Sequence, residues 1–264
     1  MGGMEVIDPR FRRVHERAVE VLEADPRVAS VRVTGSVAAG TADAWSDLDL
    51  QVVAHADGYD ALLAEWPRWL AEITPTVFAR TPLAPFIINT VTDDGLTVDL
   101  AIFKGEAFEF SPPADYTVGM LAGQRFAQVG DALEYAVAEQ LRGMAGPFVS
   151  LVQRGEHLRH LAGVPHLLGL LTTVFLAELG APPPGKLWNR TFTEEQLAAV
   201  AALPAASATR EGIMGFSLGS ARLLVTRARP LYPSFGLAWP EDLARVTGAR
   251  LRACLDLDTQ EWLY

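Results

Sequence analysis

Strand-forming segments in this chain end at residue 103, and beyond residue 131 only helical periodicity remains. That one-way switch constrains the fold, because interleaved strands and helices make a layered sheet whereas a run of helices alone makes a bundle. In PRFRRVHERAVEVLEA (9–24), Phe11, Val14, Ala18, Val19 and Leu22 fall at helical spacing, and the segment stops at Asp25-Pro26. VASVRVTG (28–35) is rich in β-branched residues, and DLDLQVV (47–53) alternates polar and apolar; both predict strands. Residues 58–73 predict an amphipathic helix despite Pro67. PFIINTVT (85–92) and LTVDLAIF (96–103) predict two more strands, joined by a tight turn at Asp93-Asp94-Gly95. The expected fold is α/β (α+β): a small mixed-sheet domain over 1–115, then an α-helical bundle domain over 116–264. Helical segments near 131–153, 157–179, 193–203, 210–229 and 240–257 build the bundle, with a proline-rich break at 181–185.

The 264 residues suffice for one large core or two modest ones. A formal net charge of −10 disfavours nucleic acid as the main partner, since surfaces that hold a phosphate backbone are basic. An acidic protein attracts cationic ligands instead. A single cysteine, Cys254, leaves no disulfide within the chain. The most apolar stretch, Leu167 to Ala177, is about half the roughly 20 residues of a membrane span. With an N-terminus charged throughout, these features predict a cytoplasmic protein with no membrane partner.

The stretch from Gly35 to Leu50 carries the chemistry. Gly35-Ser36 is expected to end a strand and open a helix, where the backbone can approach a phosphate closely and free N–H groups favour it. The Ser36 hydroxyl adds a donor, or serves as a helix N-cap, or both. Asp47 and Asp49 follow, one residue apart on a strand, so both carboxylates share a face. Two carboxylates held close together repel unless a cation lies between them, and hard oxygen ligands with room for phosphate select Mg²⁺. Asp99 interrupts an otherwise apolar strand, where a carboxylate needs a partner or a metal. It can bind a second ion or take a proton from an attacking hydroxyl; Glu106, just beyond the strand, is the alternative base. The ordinary readings are a solvated turn for Asp47 and Asp49 and a water-facing edge strand for Asp99. Lys186 and Arg190, after the proline run, are candidate phosphate cations, or else solvated linker charges; Arg125 and Arg142 are weaker candidates. His157, His160 and His166 lack accompanying Cys or carboxylates and read as surface or core histidines rather than zinc ligands. Trp45 reads equally as a substrate contact and as packing.

Gly35-Ser36, ten intervening residues, Asp47-Leu48-Asp49 and the distant strand-borne Asp99 resemble the signature of the DNA polymerase β-like nucleotidyltransferase superfamily. The two-part layout is similar to that of the aminoglycoside and lincosamide nucleotidyltransferases. The motif resemblance covers residues 35–99. It implies transfer of a nucleoside monophosphate from an NTP, ATP being the expected donor, to a hydroxyl of a small polar acceptor such as an antibiotic. Asp47, Asp49 and Asp99 would then be the catalytic residues and hold two Mg²⁺ ions, with Gly35 and Ser36 against the nucleotide. Family members often carry a basic residue in the turn after Gly-Ser, and this chain has Ala38-Ala39. Either a side chain of the helical half supplies the phosphate cation, Lys186 first and Arg190 second, or NTP binding is weak. Two other outcomes stay open: nucleotidyl transfer to a protein or RNA, and a nucleotide-binding regulator without turnover. Beyond Asp99, Glu106, Glu109, Asp115, Asp131, Glu134 and Glu139 outnumber Lys104, which leans the acceptor towards a cation, with an uncharged lincosamide-like molecule as the alternative.

Overall fold

The computed structural model describes residues 8–81, 87–105, 126, 128–180 and 187–263. Helix α1 (Pro9–Glu23) starts on Asp8, whose side chain accepts from the Arg10 N–H, with proline in the first turn where no amide hydrogen is needed. Its stripe of Phe11, Val14, Ala18 and Leu22 is buried, as the helical spacing requires. Strands β1 (Val28–Val33), β2 (Leu48–Ala54), β3 (Thr76–Arg80), β4 (Ile87–Thr92) and β5 (Thr97–Lys104) form a sheet in the order β1-β2-β5-β4-β3. Only β2 and β5 run parallel; the other three pairings are antiparallel, so the sheet is mixed as expected.

Two elements of the sheet region differ from expectation. Strand β3 is an addition: only Phe78 of its five residues is buried, so it carries no clear alternation, and pairing with β4 supplies its backbone hydrogen bonds. The helix expected over 58–73 is two helices, α3 (Tyr59–Ala64) and α4 (Trp66–Ile73). Pro67 falls in the first turn of α4, where it is tolerated, whereas in a continuous helix it would remove an interior hydrogen bond.

Alternation divides the sheet chemically. Leu48, Leu50, Val52 and Ala54 of β2, Val98, Leu100 and Ile102 of β5 and Ile88 of β4 join α1 and α4 in one apolar core. Their neighbours in sequence, Asp49 and Gln51, Asp99 and Ala101, and Asn89, therefore point to the opposite face.

The chain divides into two compact units, Met1–Pro113 and Ala114–Tyr264. Among the described residues, the second unit is helical throughout. Helix α5 (Val129–Gly143) runs through a π-helical segment, Met144–Phe148, into α6 (Val149–Gln153). Then come α7 (His157–Ala162), α8 (Val164–Leu179), α9 (Trp188–Thr191) and α10 (Glu194–Ala201). After α11 (Arg210–Ala228) and a 3-10 segment, Arg229–Phe235, follow α12 (Glu241–Leu255) and α13 (Gln260–Leu263). The helix expected over 157–179 is broken at Gly163. By length and composition the 23 residues His157–Leu179 suffice to cross a membrane, twice the span that Leu167 to Ala177 alone offers. Its second part, α8, packs on α5 and α11 and buries Leu170, Leu171, Val174 and Phe175.

Candidate active site

Asp49 and Asp99 sit directly opposite each other in the parallel β2–β5 pairing, and Asp47 precedes β2 by one residue. One oxygen from each of the three carboxylates lies within 4.8 Å of the others. Asp43 shapes the approach. Its Oδ1 accepts from the Trp45 N–H at 2.9 Å and the Ser46 hydroxyl at 3.1 Å, and its own N–H donates to Ser46 Oγ at 3.0 Å. This closed turn, with Ser46 buried and Trp45 half-buried, delivers Asp47 to the strand start. On the far side of Asp99, Asn89 of β4 donates from Nδ2 to Asp99 Oδ1 at 2.7 Å.

The Gly35-Ser36 turn abuts this cluster. Thr34 N–H donates to the Asp49 carbonyl at 2.9 Å, which draws the start of the short helix α2 (Gly35–Ala38) against β2. Gly35 has φ +60°, and a Cβ there would overlap Asp49 Oδ2, so glycine is required both for the backbone conformation and for the close approach. The N-cap of α2 is Thr34, not Ser36, because the helix begins one residue before the serine. The Ser36 hydroxyl is instead buried without a hydrogen-bond partner among the described residues. A buried orphan donor one residue from the glycine that touches Asp49 fits a ligand oxygen, since leaving such a group unpaired is costly.

Electrostatics agree. The Asp49 carboxyl is pushed up to about 7, first by burial and then by the charges of Asp47 and Asp99. A divalent cation would reverse that penalty, and three carboxylate oxygens are a donor set suited to a hard ion. Among the described residues these three form the one cluster of metal-ligating side chains. The histidines do not form another. His160 is buried, with Nε2 at 2.8 Å from Ser217 Oγ and its ring edge-on to Phe148, which is the packed role expected.

Lys186, Glu106, Glu109, Asp115 and Arg125 lie outside the described residues. Arg190 is exposed on α9 in the second unit. Arg142 is engaged by Glu139 at 3.0 Å, and that carboxylate is itself buried. Sequence reasoning passed over two arginines on the acidic face. Arg32 of β1 pairs opposite Gln51 and donates from Nε to its Oε1, and Arg80 of β3 pairs opposite Asn89. Nothing local marks either; both are placed by strand register. Asn89 was missed too, although an asparagine inside an apolar strand pattern is itself a signal.

Comparison with known proteins bears on the first unit. The family described as "Nucleotidyltransferase domain" matches residues 15–114. No curated protein matches the sequence. Among solved structures, the chain is similar to an aminoglycoside 6-adenyltransferase from Bacillus subtilis, at 12% identity over 90% of this chain and 97% of that one, with a TM-score of 0.37. It is also similar to a STING-associated CdnE c-di-GMP synthase from Capnocytophaga granulosa, at 12% identity over 87% of this chain and 83% of that one, with a TM-score of 0.30. Residues 15–114, which gather Asp47, Asp49 and Asp99 on one sheet face, match the nucleotidyltransferase domain family, and through that domain the chain is a nucleotidyltransferase.

Proposed function

We propose that the chain transfers the nucleoside monophosphate of an NTP, ATP by preference, to a hydroxyl of a small polar acceptor. The observation that supports this most is the convergence of Asp47, Asp49 and Asp99 oxygens within 4.8 Å, beside a glycine that admits no Cβ. In this reading residues 1–115 are the catalytic domain and residues 116–264 the helical one. Asp47, Asp49 and Asp99 hold Mg²⁺, two ions when the nucleotide is bound. When bound, the cations neutralise phosphate charge and make the acceptor hydroxyl more acidic. The Gly35 N–H and the orphan Ser36 hydroxyl take phosphate oxygens, and Asp99, or Glu106 in its place, takes the acceptor's proton. The acceptor oxygen bonds to the α-phosphorus as the α–β phosphoanhydride bond breaks, and pyrophosphate leaves. Placement and electrostatics supply most of the acceleration. The missing cation after Ser36 is assigned to Lys186 first and Arg190 second.

Incubation with ATP labelled at the α-phosphate, Mg²⁺ and a panel of hydroxyl-bearing acceptors tests the reading. Label should pass to an acceptor with release of pyrophosphate, and neither should occur with Asp47→Asn. Wild-type-like rates in that variant would sink the proposed site.

A further inference from the structure

We propose that Asn89 is a positioning residue for the acidic site: its side-chain amide fixes the Asp99 carboxylate so that one oxygen is held for a divalent cation. The inference rests on the reading of Asp47, Asp49 and Asp99 as cation ligands.

Asp49, Asp99 and Asn89 stand in one row across β2, β5 and β4, because Asp99 is opposite Asp49 on one side and opposite Asn89 on the other. Asp99 therefore has a repelling carboxylate at one flank and a donating amide at the other. The hydrogen bond from the Asn89 amide is short, 2.7 Å, and Asp99 Oδ1 accepts it. It engages that oxygen and restricts rotation of the carboxylate plane. Asn89 shares its face of β4 with Ile87 and Val91 and stands between Asp99 of β5 and Arg80 of β3.

The residue type matters as much as its place. A lysine or arginine opposite Asp99 would also donate, but it would cancel the charge that a cation needs. An aspartate would repel and could not donate unless protonated. An amide orients the ligand and leaves its charge intact, which is what an outer partner of a metal-ligating carboxylate has to do.

The test is Mn²⁺ binding to the full chain without nucleotide, followed by the electron paramagnetic resonance signal of the free ion. Wild type, Asn89→Ala, Asn89→Ser and Asp47→Asn would be compared, alongside the Mg²⁺ dependence of turnover. Asn89→Ala should weaken Mn²⁺ binding about 10–100-fold and raise the Mg²⁺ needed for half-maximal turnover by a similar factor. Saturating Mg²⁺ should restore most of its kcat. Asn89→Ser, which keeps a short donor, should recover part of the affinity. Unchanged Mn²⁺ affinity in Asn89→Ala overturns the proposal. So does a loss of turnover that excess Mg²⁺ does not restore and that comes with a lowered Tm in both Asn89 variants, since that pattern marks packing. If wild type binds no Mn²⁺, or Asp47→Asn binds it as tightly, the site reading fails and takes this proposal with it. That outcome is distinguishable, because it appears without any Asn89 variant.

Discussion

Three carboxylates within a few ångströms cost stability when no cation joins them, and at Asp49 that cost depends on pH. Asp49 titrates near 7 in the fold against its ordinary 3.8, through burial and the charges of Asp47 and Asp99. Between those values the folded protein keeps a proton that the unfolded chain has released. Stability therefore falls as pH rises through the window, and the deficit is complete above about 7. Asp49→Asn removes it. Metal-free Asp49→Asn should exceed wild type at pH 8 by ~1–3 kcal/mol, a figure already reduced for solvent screening. The gap should close towards pH 4 and shrink when Mg²⁺ saturates the wild type. Denaturant melts at three pH values check this; a wild type at least as stable as the variant at pH 8 without metal would contradict it. The same variant, like Asp47→Asn, should lose turnover, so stability and activity move in opposite directions. Gly35→Ala tests the neighbouring contact. A left-handed backbone plus overlap with Asp49 Oδ2 should cost about 1–3 kcal/mol and weaken Mn²⁺ binding together. An alanine variant with wild-type melting and metal affinity would show that the turn can move away.

Helices and strands set which of these groups meet. The buried pair His160 and Ser217 joins α7 to α11 and gives the helical unit an acid-sensitive contact. Burial first, and the nearby His157 second, lower His160 to about 4 from its ordinary 6.5. As pH falls below 6.5 the unfolded chain takes up a proton that the fold refuses, so stability is present above 6.5 and is lost on the way down to about 4. The loss should reach ~2–3 kcal/mol in wild type and be largely absent in His160→Gln, which still reaches Ser217 but does not titrate. Parallel denaturant melts at pH 7 and pH 4 decide it; equal acid sensitivity in both proteins would assign the effect elsewhere. Much of this level was legible in sequence. The alternation of 47–53 and the single break at Asp99 in 96–103 put all three carboxylates on one face. The turn at Asp93-Asp94-Gly95 already implies the register that sets Asn89 opposite Asp99, though that step follows only when the hairpin is paired residue by residue. What was hidden is what tertiary contact decides. Strand β3 exists because β4 offers hydrogen bonds, and β2 pairs in parallel with β5 across more than forty intervening residues. Gly163 and Pro67 break helices whose apolar spacing reads straight through them.

At the scale of the whole molecule the question is charge: where a phosphate finds a cation, and which acceptors the protein's field favours. If Lys186 and Arg190 supply the cation, replacing the contacting one by alanine should weaken NTP binding by about 1.5–3 kcal/mol. Unchanged dissociation constants for both variants would turn attention to Arg32, which stands on the acidic sheet face. For the acceptor, the net charge of −10 sets a field that concentrates cations around the protein. Locally, fewer carboxylates are free to act than the sequence alone implies. Glu139 is buried and answered by Arg142, so among the described residues of that acidic run beyond Asp99, Asp131 and Glu134 remain exposed. A preference built on the overall field has a distinct signature. Amine-bearing acceptors should be modified with higher kcat/KM than neutral ones of similar size, and the advantage should fade as salt rises. At about 0.1 M ionic strength the screening length is ~10 Å, so a long-range field is largely lost over the range from ~0.02 to ~0.5 M. A preference carried by a contact ion pair would instead survive, because close, partly buried charges are screened far less. Rates measured across that salt series, with one cationic and one neutral acceptor, separate three outcomes. A fading advantage supports the field. A persistent advantage points to a specific carboxylate contact. No advantage at any salt overturns the cationic preference and leaves the metal site untouched, since nothing in the arrangement of Asp47, Asp49 and Asp99 depends on the acceptor's charge.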